Sequence, residues 1–227
     1  MTPPKRLIVF DVDGTLVDSQ RDIVAAMEMA FDQVSIAAPA RCDILSIVGL
    51  SLDVAMERLA PDVHTATWSE LVQGYKDAYV VLRTQRGVAE SSPLYPGAGQ
   101  TLSRLRENPE NILGIATGKS KRGLDKLLVG HSLQNVFVTC QVADFHPSKP
   151  HPAMLLAAMG QTGIGPEHTV MVGDTSFDME MAKAAGARSI GVSWGYHGAA
   201  QLVGADRVVD SFATLDAALS EVLGETA

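Results

Sequence analysis

Leu7-Ile8-Val9-Phe10-Asp11-Val12-Asp13-Gly14-Thr15-Leu16 is the stretch on which the fold reading turns. Four apolar residues in succession, with no polar alternation, describe a strand covered on both faces. Two carboxylates at i and i+2 and a glycine close it. The same kind of run recurs at residues 112–116, 136–139, 169–172 and 190–192. Segments of helical period lie between these runs, including Leu124/Leu127/Leu128 and Met154/Leu155/Ala158/Met159. Strand and helix alternating in this way predict an α/β domain with a doubly wound parallel sheet. A last helix, with Phe212, Leu215, Leu219 and Val222 on one stripe, closes it. Ligands of such sheets gather at the carboxyl ends of the strands, so the residues just after each run are the candidates for chemistry.

Residues 18–93 break the alternation, because amphipathic helices follow one another there without a strand. The reading is an inserted all-helical cap at residues 18–93 on a core made of residues 1–17 and 94–227. Ser19-x-x-Asp22 has the form of a capping box, and Ile23, Ala26, Met27, Ala30, Phe31 and Val34 continue one helical face. Leu52/Ala55/Met56/Leu59 and Trp68/Leu71/Val72/Tyr75/Tyr79/Leu82 form two further stripes, read as core. Ser91-Ser92-Pro93 reads as the return hinge.

The bulk numbers exclude several classes. A hydrophobic fraction of 46% and a charged fraction of 19% describe a folded chain rather than a disordered one. The net charge of −8 has both signs interspersed over 227 residues, which leaves no basic stripe for nucleic acid. No run approaches membrane-spanning length, so the expected location is the cytoplasm. Cys42 and Cys140 stand far apart, outside any metal-type spacing, and read as buried reduced thiols.

The candidate chemistry sits at the strand ends. Asp11 and Asp13, on one side of a strand end, repel each other and need a cation or a shared proton, which Mg²⁺ with its preference for oxygen ligands satisfies. Thr117-Gly118 ends a second run and offers a hydroxyl and flexible backbone N–H groups to phosphate oxygens. Lys149, between Ser148 and Pro150 in a proline-stiffened segment, is a rigidly presented phosphate clamp. Asp174 ends another run and Asp178 follows in the first turn of a helix, so one can ligate metal while the other supports it. His146, His151 and His197 read as loop histidines without a vacant role. Arg58, Lys76, Arg83 and Arg86 each read as a solvated helix face or a contact to a second anionic group of a substrate.

These pieces, in this order, resemble the haloacid dehalogenase superfamily, and within it the phosphatases whose Rossmann-like core carries a helical cap. The resemblance implies a nucleophile at Asp11, a general acid/base at Asp13, and catalytic roles for Thr117 and Lys149. It implies Mg²⁺ held by Asp11, Asp174 and the main-chain carbonyl of Asp13, with Asp178 behind them. Gly14, Thr15, Thr117, Gly118 and Lys149 are then the expected substrate-binding residues. Gly191-Val192-Ser193-Trp194-Gly195-Tyr196 looks like the corresponding loop of phosphoglycolate phosphatases. The substrate implied is a small phosphate ester, with 2-phosphoglycolate the leading candidate, and residues 18–93 set its identity. Val48-Gly49-Leu50-Ser51 is either a cap loop facing the site or a turn before a helix. Asp13 argues against the dehalogenase and phosphonate-hydrolase branches. A sugar phosphomutase is the alternative of the same kind, and a non-catalytic phosphate-binding regulatory module the alternative of another class.

Overall fold

A computed structural model describes residues 5–224 and places the opening apolar run as β1 (Arg6–Phe10). Helices α1 (Gln20–Gln33), α2 (Arg41–Ser46), α3 (Leu52–Leu59), α4 (Thr65–Arg86) and α5 (Val88–Ser91) follow before any further strand. The chain then continues through α6 (Ala98–Glu107), β2 (Asn111–Thr117), α7 (Lys121–Gly130), β3 (Thr139–Val142), α8 (Ala153–Thr162) and β4 (Thr169–Gly173). It ends with α9 (Ser176–Ala185), β5 (Arg188–Val192), β6 (Arg207–Val209) and α10 (Leu215–Val222). The described strands form one parallel sheet in the order β3-β2-β1-β4-β5-β6. The winding reverses beside β1, so the ends of β1, β2 and β4 surround the crevice where such sheets bind ligands.

The continuous apolar character of β1 has a direct cause in this layering. Ile8 and Phe10 enter a core built with Leu102 of α6, Leu124 of α7 and Leu215 of α10. Leu7 and Val9 point the other way, against Met154 of α8 and Met181 of α9. The helical segment has its own core, in which Ile23, Met27 and Phe31 of α1 meet Ile44, Met56 and Leu71. Where the chain leaves for α1 and returns from α5, its two strands pair: Asp18 N–H donates to Pro93 O at 2.9 Å and Tyr95 N–H to Leu16 O at 3.0 Å.

Several expectations need correction. The run at residues 136–139 is not the strand; β3 starts at Thr139, and Val138 is 67% exposed. Buried Gln141 interrupts the apolar pattern of β3, because its amide is satisfied by Thr139 Oγ1 at 2.7 Å and Gln161 Oε1 at 3.0 Å. The edge strand β6 follows the run at 190–192 and was absent from the strand reading, being three residues long with Val208 exposed. Ser19 and Asp22 form no capping box; Ser19 turns to Asp13 and Asp22 accepts from Arg86 at 2.6 Å. Cys42 is exposed rather than buried, and Cys140 is half-buried. No helix among the described residues is long and apolar enough to cross a membrane.

Replacing Phe10, which is fully buried, by Ala should destabilise the protein by about 3–5 kcal/mol in urea unfolding. Val138→Ala should cost less than about 0.5 kcal/mol, as a surface change does. Comparable losses at the two positions would refute the strand boundary at Thr139.

Candidate active site

The pairing of β1 with β4 runs one residue past β1, through the Asp11 N–H bond to Val172 O at 2.9 Å. That bond sets Asp11 beside Asp174, which follows Gly173 at the end of β4. Asp178 enters from α9, and the three carboxylates offer oxygens that all lie within 4.8 Å of one another. Each has a different set of supports. Asp174 accepts from Thr15 Oγ1 at 3.0 Å and from Tyr196 N–H at 2.8 Å. Asp178 Oδ2 accepts from Thr175 N–H and Thr175 Oγ1 at 3.1 and 2.7 Å, inside a capping box that starts α9. Lys149 Nζ reaches Asp178 Oδ1 at 2.7 Å and Asp11 Oδ1 at 3.0 Å, with its ammonium wholly buried. Asp11 Oδ2 has no hydrogen-bond partner among the described residues.

Gly14 and Gly195 explain how Asp174 is held so tightly. A Cβ at Gly14, where φ is +88°, would lie 2.2 Å from Asp174 Oδ2, and one at Gly195 would lie 2.2 Å from Asp174 Cβ. Only a backbone without side chains fits against this carboxylate on both sides. Gly14 and Thr15 thus stand behind Asp174, with the Thr15 hydroxyl committed to it.

Three carboxylates face one ammonium in a buried volume, and the proton affinities of Asp11 and Asp174 are raised there. Burial pushes the Asp11 carboxyl up to about 7; Lys149 pulls against that shift and Asp178 adds to it. Asp174 is raised by burial, then by Asp11 and Asp178. Burial lowers Lys149, but Asp11 and Asp178 outweigh it and leave the ammonium above its ordinary range. The donor set therefore fits a hard divalent cation: oxygen ligands only, excess negative charge, and an oxygen of Asp11 without a partner.

Asp13 has a separate environment. Its carboxylate accepts a short hydrogen bond from Ser19 Oγ and pairs with Lys119 Nζ at 2.8 Å. Tyr196 OH lies 3.1 Å from Ser19 Oγ and accepts from Ser19 N–H at 3.1 Å. Each carboxylate of the opening motif has an ammonium of its own, Lys149 at Asp11 and Lys119 at Asp13. Asp11, Asp13, Thr117, Gly118 and Lys119 line a cavity of about 300 Å³. Thr117 Oγ1 accepts from Lys119 N–H at 3.2 Å, which turns the chain at the end of β2.

The helical segment forms the other side of the cavity. Val48, Gly49, Leu50 and Ser51 line it, so that stretch faces the site. Ser51 N–H donates to Ser148 Oγ at 2.8 Å, and a Cβ on Gly118 would meet Leu50 O at 2.5 Å. Tyr75, Lys76, Tyr79 and Arg83 project from α4. Arg86 is tied to Asp22, and Arg58 stacks 5.3 Å over Phe177 outside the cavity lining. His197 is buried; its Nδ1 accepts from Ser176 N–H and its Nε2 donates to Ser46 O, at 3.2 and 3.0 Å. Lys119, Ser19 and Tyr196 carry no catalytic role in the sequence reading. Lys119 is two residues from Thr117, and that adjacency was its one available signal.

A family model described as haloacid dehalogenase-like hydrolase matches residues 8–192. The chain is 36% identical over 225 residues to a probable phosphatase IndB of Dickeya dadantii (strain 3937), covering 97% of this chain and 93% of that protein. It is 31% identical over 199 residues to a phosphoglycolate phosphatase of Pseudomonas putida, covering 85% and 71% respectively. The crystal structure of a hydrolase from Pseudomonas syringae superposes with a TM-score of 0.84 at 26% identity, over 96% of this chain and 99% of that one.

The raised Asp11 carboxyl gives a signed pH prediction. Between its ordinary value of 3.8 and about 7, metal-free folded protein holds a proton that the unfolded chain has released. Stability relative to Asp11→Asn should therefore fall as pH rises through that window. Mg²⁺ competes with the proton, so the Tm increase on adding Mg²⁺ should grow from pH 5 to pH 7.5 in scanning calorimetry. A Tm increase that is flat with pH, or unchanged in Asp174→Asn, counts against a cation at this site.

Proposed function

The chain belongs to the haloacid dehalogenase-like hydrolase family and is a phosphoric monoester hydrolase, and we propose that it works with Mg²⁺ through a phosphoryl group carried on Asp11. The observation that carries this reading is Asp11 itself: it lines the cavity, Lys149 stands 3.0 Å behind one oxygen, and the other oxygen is unpartnered. A carboxylate so placed is a held nucleophile.

In this reading Asp11 attacks phosphorus in line, forming an acyl–phosphate bond while the bond from phosphorus to the leaving oxygen breaks. Asp13, oriented by Ser19 and Lys119, gives its proton to that oxygen. It then takes a proton from the water that attacks the phosphoryl group, which frees Asp11 and releases phosphate. Thr117 and the backbone N–H groups after β2 hold the equatorial oxygens, and Lys149 neutralises charge from beneath. Mg²⁺, held by Asp11 and Asp174 with the Asp13 carbonyl and supported by Asp178, would supply electrostatic stabilisation of the transferring group.

Residues 18–93 act in the same proposal as a substrate-selecting cap on a core of residues 1–17 and 94–227. The cap contributes α4 and residues 48–51 to the cavity wall, close to Asp13. A cavity of about 300 Å³ suits a small metabolite. The substrate we favour is 2-phosphoglycolate, the substrate in the name of the Pseudomonas putida relative. A cytoplasmic site of action fits the two free thiols.

Phosphate release over a panel of small phosphate esters should require Mg²⁺, stop in chelator and rank 2-phosphoglycolate first. Full activity in chelator would remove the metal from the mechanism. Asp11→Asn should abolish turnover, and Lys149→Ala should lower kcat by about 10²–10³-fold. With a good leaving group, Asp13→Ala should accumulate enzyme heavier by one phosphoryl group in intact mass spectra. If no adduct forms and Asp11→Asn still turns over, Asp11 is not the nucleophile.

A further inference from the structure

Arg83 of α4 is 7% exposed, yet the described residues offer its guanidinium no carboxylate. Its Nη1 donates to Gly123 O at 3.3 Å, and its plane lies 5.1 Å from the Tyr79 ring centroid. Nε and Nη2 have no hydrogen-bond partner among the described residues. A buried guanidinium left with two unused donors is costly, and an anionic ligand removes that cost. Nε and Nη2 share one edge of the guanidinium, so their N–H bonds point in parallel and match the two oxygens of a carboxylate.

The position of Arg83 on α4 relates it to the chemistry. Arg83 lines the cavity that contains Asp11 and Asp13. The Tyr79 ring has Arg83 on it at 5.1 Å and Lys119 Nζ at 5.2 Å, and Lys119 holds Asp13. The unpartnered guanidinium and the ammonium beside Asp13 therefore both border one aromatic ring. A small leaving group suits that neighbourhood and the cavity of about 300 Å³. Arg86 and Arg58 are already engaged elsewhere, and Lys76 is exposed.

We propose that Arg83 is the specificity-determining residue, turning its buried, unpartnered Nε/Nη2 edge to a carboxylate on the leaving group, so that the substrate class is short phosphorylated carboxylic acids. This rests on the phosphatase reading above. The competing role is a strut from α4 to Gly123 O, which would affect all substrates alike.

The test compares 2-phosphoglycolate, ethyl phosphate and ethylene glycol bisphosphate on the parent enzyme, Arg83→Gln and Arg83→Lys. The preference of the parent for 2-phosphoglycolate over ethyl phosphate in kcat/KM should fall about 10–100-fold in Arg83→Gln, mainly through KM. Arg83→Lys should recover only part of it, since an ammonium lacks the paired edge. Equal losses on both esters, a parent enzyme without preference between them, or a stronger preference for the bisphosphate would each overturn the assignment. Calorimetric binding of 2-phosphoglycolate to Asp11→Asn separates this inference from its premise. Binding weakened by adding Arg83→Gln, with no turnover of any ester by the parent, would keep the carboxylate site and remove the phosphatase. Turnover with selectivity independent of Arg83 would do the reverse.

Discussion

Lys149 places a fully buried ammonium 2.7 Å from Asp178 and 3.0 Å from Asp11, in a site that also holds Asp174. Losing the lysine would leave like charges within a few ångströms of one another and out of reach of water. Removing one member of a buried pair typically costs about 3–5 kcal/mol. One ammonium still does not balance three carboxylates, and burial, with the neighbouring acids adding to it, keeps Asp11 and Asp174 above their ordinary proton affinity. A proton or a divalent cation would each relieve the excess charge, and the cation would do so while favouring the ionised form of Asp11. Structural support and catalytic readiness therefore meet in the same imbalance.

The sheet makes that imbalance possible. Asp11 and Asp174 are adjacent because β1 and β4 are hydrogen-bonded neighbours, and β2 brings Thr117 to the other flank of β1. Leu7, Val9, Ile8 and Phe10 anchor β1 from both faces, so its end has little freedom to relax away from the charge it carries. The glycines at 14 and 195 let two backbones close on Asp174 where any side chain would collide.

Asp11 and Asp13 show how two identical side chains two residues apart acquire different chemistry. Asp11 lies among other acids with Lys149 beside it, an environment that fits the metal-bound nucleophile of the proposed mechanism. Asp13 lies against Lys119, Ser19 and, one step further, Tyr196, with no second acid beside it in that set. Ser19 belongs to the outgoing chain just before α1, so the helical segment begins on a residue that holds the Asp13 carboxylate.

The sequence by itself determined the alternation of β1, β2, β4 and β5 with helices, the helical character of the segment after β1, the strand-end positions of Asp11, Asp13, Thr117 and Asp174, and the place of Asp178 in the helical turn that follows. These are legible because apolar runs and helical stripes are local patterns, and a parallel sheet puts functional residues at predictable ends. Tertiary structure alone decided where β3 begins, because Gln141 and Thr139 hide a buried strand behind polar side chains that satisfy each other. It also decided that Ser19 bonds to Asp13 instead of capping a helix, that Lys119 pairs with Asp13, and that Arg83 is buried while Arg86 is paired. Each of these joins residues on different elements, and a contact energy between such residues exists only once the fold has brought them together.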